Sequence, residues 1–247
     1  MCSSDLTPRP LTPSLTPRAS RNMIKAVLFD LDGTFADTAP DLGYAVNLMR
    51  KARNLPPVPE EKTRPVTSSG ARGLLGAGFG ITPAHDEFPA MREEFLNLYE
   101  ANLCRATRLF DGMAALVDTL EARAIVWGIV TNKAERFALP LMDLLGYGKR
   151  AACVIGGDTT GKMKPHPEPL YAAAKTIRIA PEQCLYVGDD ERGIQAGRAA
   201  GMKTVAVRFG YLNGSNPAHW GADAVVDTPL AVLDVMADFC ASGTRHL

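Results

Sequence analysis

From residue 24 onward, short apolar runs alternate with longer stretches in which apolar side chains recur every three or four positions. The runs cover 24–29, 124–130, 152–155, 183–187, 203–207 and 223–226. Strand-length runs separated by helical patterns predict an α/β fold with a mainly parallel, doubly wound sheet. Strands in such a sheet are covered on both faces, which fits 125–130 reading Ile-Val-Trp-Gly-Ile-Val with no polar alternation.

One interval breaks the rhythm. No convincing strand appears between Thr34 and about Phe110, a gap of ~75 residues that is too long for a structureless loop in a compact domain. Leu42, Ala45, Val46, Met49 and Ala52 recur at helical spacing, as do Phe88, Met91, Phe95, Leu98 and Tyr99. Pro56, Pro57 and Pro59 stop the first of these helices. Five glycines between Gly70 and Gly80 make the middle of the interval pliable. The pattern predicts a helical cap domain over 38–107, inserted into an α/β core made of 23–37 and 108–247. The methionine and aromatic stripes on its helices are expected to be core.

Residues 1–22 are different in kind. Leu-Thr-Pro occurs at Leu6, Leu11 and Leu15, with Arg9, Arg18 and Arg21 interspersed. Proline at that density opposes helix and sheet alike, so a disordered tail is expected. The stretch lacks the apolar segment of a secretory signal, and Met23 directly precedes the first strand.

Composition narrows the function classes. The 247 residues carry Lys+Arg 27 against Asp+Glu 27, so no global field favours nucleic acid or an anionic membrane as partner. Five dispersed cysteines form no C-x-x-C pair, and four histidines show no ligand spacing. Free thiols in a reducing, cytoplasmic setting are the expectation. No apolar run approaches the ~20 residues of a membrane span. Oligomeric state is not legible.

The first strand ends in Asp30-Leu31-Asp32-Gly33-Thr34. Alternate strand residues share a face, so Asp30 and Asp32 are expected to enter one site at the carboxyl end of the sheet, where open α/β folds bind ligands. Two adjacent acids need a cation or a shared proton; a solvated Asp-Gly turn is the plainer alternative. Three later loops invite the same double reading. Thr131, followed by Asn132 and Lys133, offers a hydroxyl and fresh backbone N–H groups to a phosphate oxygen, or else caps a helix. Lys164, before Pro165, is a fixed cation able to stabilise a phosphoryl group, or a solvated loop lysine. His166 beside it is read as structural. Gly188-Asp189-Asp190 ends another strand in acids, the ligand type that hard cations such as Mg2+ select.

As an ordered set, Asp30-Leu31-Asp32-Gly33-Thr34, Thr131, Lys164 and Gly188-Asp189 resemble the four motifs of the haloacid dehalogenase superfamily of phosphatases. The likeness runs from Met23 to about Asp227, and the cap inserted after the first motif is similar to the phosphoglycolate-phosphatase branch. The resemblance implies that Asp30 is the nucleophile and Asp32 the acid/base. It implies that Thr131, Asn132 and Lys164 hold the phosphoryl group, and that Mg2+ sits on Asp30, the backbone carbonyl of Asp32, and Asp189. Ser68 to Gly73 looks like a substrate-specificity loop, in which Arg72 would clamp a substrate carboxylate or remain a surface arginine. The implied substrate is a small carboxylate-bearing phosphate ester. 2-Phosphoglycolate comes first; N-acetylmuramic acid 6-phosphate is the alternative, since 127–133 and 216–223 look much like the muramic acid enzymes. The chain departs from the family pattern at Gly193, where a second acid is usual, and at Phe35, where a smaller aliphatic is commoner. Asp190 is a partial substitute for that acid. The departure puts metal affinity in question and leaves a weakened, fold-retaining binding protein as a more remote reading.

Overall fold

The structure, a computed structural model, describes residues 23–242; the expectation for 1–22 falls outside the described residues. The strands are β1 (Ala26–Phe29), β2 (Ala36–Asp37), β3 (Arg108–Leu109), β4 (Val126–Val130), β5 (Val154–Ile155), β6 (Cys184–Gly188), β7 (Lys203–Val207) and β8 (Ala224–Val226). The helices are α1 (Ala39–Ala52), α2 (Glu60–Thr63), α3 (Gly70–Phe79), α4 (Phe88–Ala101), α5 (Met113–Ala122), α6 (Glu135–Leu144), α7 (Glu168–Ile177), α8 (Glu191–Ala199) and α9 (Ala231–Ser242).

Six strands form one sheet in the order β5-β4-β1-β6-β7-β8, and every pairing is parallel. β1 lies between β4 and β6, with Phe29 opposite Ile129 on one side and Val187 on the other. Its side chains alternate between two cores. Val27 and Phe29 pack with Leu116, Leu120 and Val205, whereas Ala26 and Leu28 pack with Leu170, Tyr186 and Ile194. All four are fully buried, so the sheet is held by apolar burial on both faces, ~1.5–3 kcal/mol for each large side chain. The apolar run at 203–207 coincides with β7. The run at 124–130 starts late, because Ala124 takes a left-handed φ of 56° that no strand continues.

The interval between Thr34 and Phe110 is not free of strands. β2 pairs antiparallel with β3, so the chain leaves and re-enters the sheet region through a two-stranded ribbon. Two residues per strand carry no readable alternation, which is why the pattern along the chain missed it. Beside the ribbon, buried Asp41 on α1 accepts hydrogen bonds from the backbone N–H groups of Ala106 (2.8 Å) and Thr107 (2.9 Å) and from the Thr107 hydroxyl (2.7 Å). The outgoing and returning segments are thereby pinned together.

Helices α1, α3 and α4 gather around a third cluster that includes Val46, Met49, Leu74, Leu75, Phe95 and Tyr99, joined by Phe137 from α6. The segment expected to be pliable is ordered: a 3-10 helix over Arg64–Ser69 leads into α3. Full burial of Leu74 and Leu75 outweighs the poor helix propensity of their glycine neighbours.

Candidate active site

Level strand ends decide where the reactive side chains stand. β1 ends at Phe29, but the Asp30 N–H still donates to the Val187 carbonyl at 2.9 Å and prolongs the ladder to β6; Asp32 lies in the loop beyond, in an isolated bridge to Ala36. The Leu31 carbonyl accepts from the N–H groups of Phe35 (3.1 Å) and Ala36 (2.9 Å), which folds the loop back and aims both aspartates into one cavity. Asp30 Oδ1 accepts from the Leu31 N–H at 2.9 Å. Gly33 has a φ of 78°, and a Cβ there would collide with the Asp189 carboxylate. Glycine is what lets the two acidic loops approach.

Asp189 follows β6 and is 1% exposed. Its Oδ1 accepts from the Thr34 hydroxyl at 2.9 Å and its Oδ2 from the Tyr211 N–H at 2.8 Å. Burial, reinforced by the Asp30 charge, pushes this carboxyl up to about 7 despite those two donors. Thr131 follows β4 and is buried; its hydroxyl oxygen accepts from the Lys133 N–H at 3.1 Å.

Lys164 is 4% exposed, unlike a solvated loop lysine. Its Nζ donates to the Val130 carbonyl and the Tyr186 hydroxyl, each at 2.8 Å, and pairs with Asp30 Oδ2 at 2.8 Å. Asn132 builds this placement. Its amide accepts from the Lys164 N–H (3.0 Å) and donates to the Lys164 carbonyl (2.9 Å), so the side chain is engaged on Lys164.

The acidic motif departs from its expected shape in an informative way. A side chain at Gly193 would collide with the Tyr186 hydroxyl, so the space is filled by the phenol that contacts Lys164. Asp190 is not spare either. It accepts from the N–H, Nε and Nη2 of Arg192 at 2.9, 2.8 and 2.7 Å. Burial alone would raise the Asp190 carboxyl; Arg192 outweighs it and holds it below its usual value. Arg192 in turn donates to the Ser68 carbonyl at 2.8 Å, linking this loop to the helical layer.

Several contributing residues gave no signal in the chain. Lys133 Nζ donates to Asp32 Oδ1 at 2.8 Å, and the Thr38 hydroxyl donates to the same oxygen at 2.5 Å. Burial would lower the Lys133 ammonium, but Asp32 and Tyr99 more than offset it and the net shift is upward. Tyr211 takes the N–H groups of Thr38 (2.7 Å) and Ala39 (2.9 Å) on its hydroxyl and donates to Asp37 at 2.6 Å. These contacts join residues far apart in sequence, so spacing could not reveal them.

Among the described residues no cluster of three or more His, Cys, Asp or Glu side chains is arranged for a metal. The donor set at the strand ends is smaller: two carboxylates, Asp30 and Asp189, beside the backbone of Asp32. That suits Mg2+, which takes one or two protein carboxylates and keeps water or phosphate in its other positions. Burial first, and the Asp30 charge second, raise the Asp189 carboxyl, and a divalent cation held by both carboxylates would relieve the second of these.

The cavity over these residues has a volume of about 730 Å³. Asp30, Asp32, Thr131 and Lys164 line one part; Phe88, Phe95, Leu96 and Tyr99 of α4 line another, with Arg72 of α3, Arg92 of α4 and Arg136 of α6. Arg72, Arg92 and Arg136 are exposed. No helix among the described residues is long and apolar enough to cross a membrane.

The family model for haloacid dehalogenase-like hydrolases matches residues 27–207. The chain is 45% identical over 217 residues to an N-acetylmuramic acid 6-phosphate phosphatase of Pseudomonas aeruginosa, covering 87% of this chain and 96% of that one. It is 48% identical over 206 residues to a phosphoglycolate phosphatase of Xanthomonas campestris pv. campestris, covering 83% and 93%. Among solved structures, a predicted phosphoglycolate phosphatase from Haemophilus somnus 129PT superposes with a TM-score of 0.76 at 28% identity, covering 86% of this chain and 97% of that one.

Proposed function

The chain belongs to the haloacid dehalogenase-like hydrolases and is a phosphatase, and on that premise we propose that it is a Mg2+-dependent phosphomonoesterase acting through Asp30. The observation that carries this reading is the convergence of Asp30, Asp32, Thr131 and Lys164 on one cavity, with Asp189 beside them. Asp30 attacks phosphorus and forms an aspartyl-phosphate while the ester oxygen departs. Splitting the displacement in two replaces one hard step by two easier ones. Asp32 gives the departing oxygen its proton and then takes one from the attacking water, which frees phosphate and restores Asp30. Lys164 and the Thr131 hydroxyl hold the equatorial oxygens, where a fixed cation is worth most in a water-poor site. Asp30, Asp189 and the Asp32 carbonyl would hold Mg2+, which supplies positive charge against the phosphoryl oxygens. The helical layer over 38–107 acts as a cap that excludes water and meets the leaving group. Free Cys104, Cys153 and Cys184 fit work in a reducing cytoplasm.

The cavity favours the larger of the two carboxylate-bearing esters. Even with Arg192 bonded across to Ser68, about 730 Å³ stays open, a volume in the range of ~300–1,000 Å³ that encloses drug-sized ligands. A sugar acid such as N-acetylmuramic acid 6-phosphate would have room to set its ring against the α4 aromatics, while 2-phosphoglycolate would leave most of the cavity to water. Side-by-side kcat/KM values test this, with a preference of at least about tenfold expected for the sugar acid. A reversed preference would return the substrate to 2-phosphoglycolate. Asp30→Asn should remove turnover of p-nitrophenyl phosphate; undiminished turnover would end the nucleophile assignment.

A further inference from the structure

Among the described residues the hydroxyl of Tyr99 is the one buried side-chain polar atom without a well-formed hydrogen bond; the Lys133 ammonium engages it only weakly. Tyr99 is 1% exposed, lies on the cavity wall, and has its ring 6.5 Å from Phe95 and 5.6 Å from Phe137. Phenylalanine would pack into that wall as well without stranding an oxygen. The Lys133 ammonium lies 4.8 Å from the Tyr99 ring centroid while bonded to Asp32. Burial, with Lys133 opposing it, pushes the phenol up to about 12, so the hydroxyl is neutral and can donate as well as accept.

We infer that Tyr99 and Lys133 form a subsite for the leaving alcohol, one that takes an acceptor oxygen carried on the carbon next to the ester carbon: the carboxylate of 2-phosphoglycolate or the ring oxygen of a 6-phosphosugar. The inference rests on Asp32 acting at the leaving oxygen, since Lys133 reaches the cavity beside Asp32. A substrate oxygen that lands on the Lys133 ammonium lands beside Tyr99 and gives the stranded hydroxyl its partner. An alcohol with no such group leaves the hydroxyl unpaired and gains less. Tyr99 is therefore a specificity residue, while the chemical step stays with Asp30 and Asp32.

Tyr99→Phe in the full chain tests this, because it deletes an oxygen that makes no well-formed hydrogen bond in the protein. Its Tm should match or exceed that of the wild type. Its kcat/KM should fall about tenfold for 2-phosphoglycolate and N-acetylmuramic acid 6-phosphate, and stay within about twofold for p-nitrophenyl phosphate, whose ring carries no oxygen near the ester. Equal losses on all three, or none on any, would overturn the proposal. A second measurement needs no variant: the wild type should hydrolyse 2-phosphoglycolate at least about tenfold more efficiently than ethyl phosphate, which has the same two carbons without the carboxylate. Equal efficiencies overturn the subsite and leave the phosphatase reading standing. A wild type inactive on every ester removes both.

Discussion

The two sides of the cavity are built on opposite rules. At the strand ends, polar groups are buried and already engaged: Lys164 has three partners, Asp189 has donors on both oxygens, and Asn132 is locked to the Lys164 backbone. On the helical side, the Tyr99 hydroxyl lacks a well-formed hydrogen bond, Arg72 and Arg92 are exposed, and Arg136, also exposed, lies over the Phe137 ring at 4.5 Å. A site that must act identically on every phosphoryl group gains from being fixed before substrate arrives. A site that must tell one alcohol from another gains from polar groups that only the right alcohol satisfies. On the roles proposed above, chemistry stays with the strand-end residues and selectivity falls mainly to the helical side, with Lys133, bonded to Asp32, joining the two.

Substitutions can break that division in order of expected size. Lys164→Met should lower kcat by about 10²–10³-fold for every phosphomonoester tested; a loss confined to one substrate would show that the lysine reads the alcohol. Asn132→Ala should follow the same substrate-blind pattern at about tenfold, because it loosens Lys164 instead of deleting it, and an unchanged kcat would mean the amide does not position it. Arg72→Gln should raise KM for carboxylated esters about threefold to tenfold and leave p-nitrophenyl phosphate alone. Comparable KM shifts for both would place Arg72 with the phosphoryl machinery.

The smallest effect is a matter of sign. In metal-free protein burial and the Asp30 charge push the Asp189 carboxyl up to about 7, well above the ordinary carboxylate range. The folded state then holds an extra proton between about pH 4 and 7, and this group's contribution to stability declines as pH rises through that window. Mg2+ needs the deprotonated form. The Tm gain from Mg2+, a few degrees, should therefore be larger at pH 8 than at pH 5, and equal gains would separate Asp189 from the ion.

Much of the engaged side was legible in the chain and little of the open side was. Asp30, Thr131 and Asp189 each follow an apolar run, and a run that stops in a polar residue marks a strand end by itself. Lys164 stood out through its prolines. Asp30 and Asp32 line one cavity, Asp30 from the end of the β1 ladder and Asp32 from the loop beyond it, whose hydrogen bonds the residue pattern does not encode. Lys133, Tyr186, Tyr211 and Arg192 act through contacts across the sequence, which local pattern cannot encode. Tyr99 was visible only as part of a core stripe, and whether its oxygen is satisfied depends on three-dimensional neighbours. Gly193 was read as a gap in metal binding; the phenol of Tyr186 occupying that space was not foreseeable from spacing.

The strand order has a consequence for biosynthesis. β1 leaves the ribosome first, yet both its neighbours, β4 and β6, lie far downstream, beyond the entire helical segment. At ~5–20 residues per second of elongation, a wholly apolar strand waits on the order of 10 s with both hydrogen-bonding edges open. Until residues 126–130 arrive it is a template for other nascent chains. Asp30, the proposed nucleophile, thus hangs from a strand open to misassociation during synthesis, and expression at low temperature or with holdase chaperones should raise soluble yield more than substitutions in the cavity do.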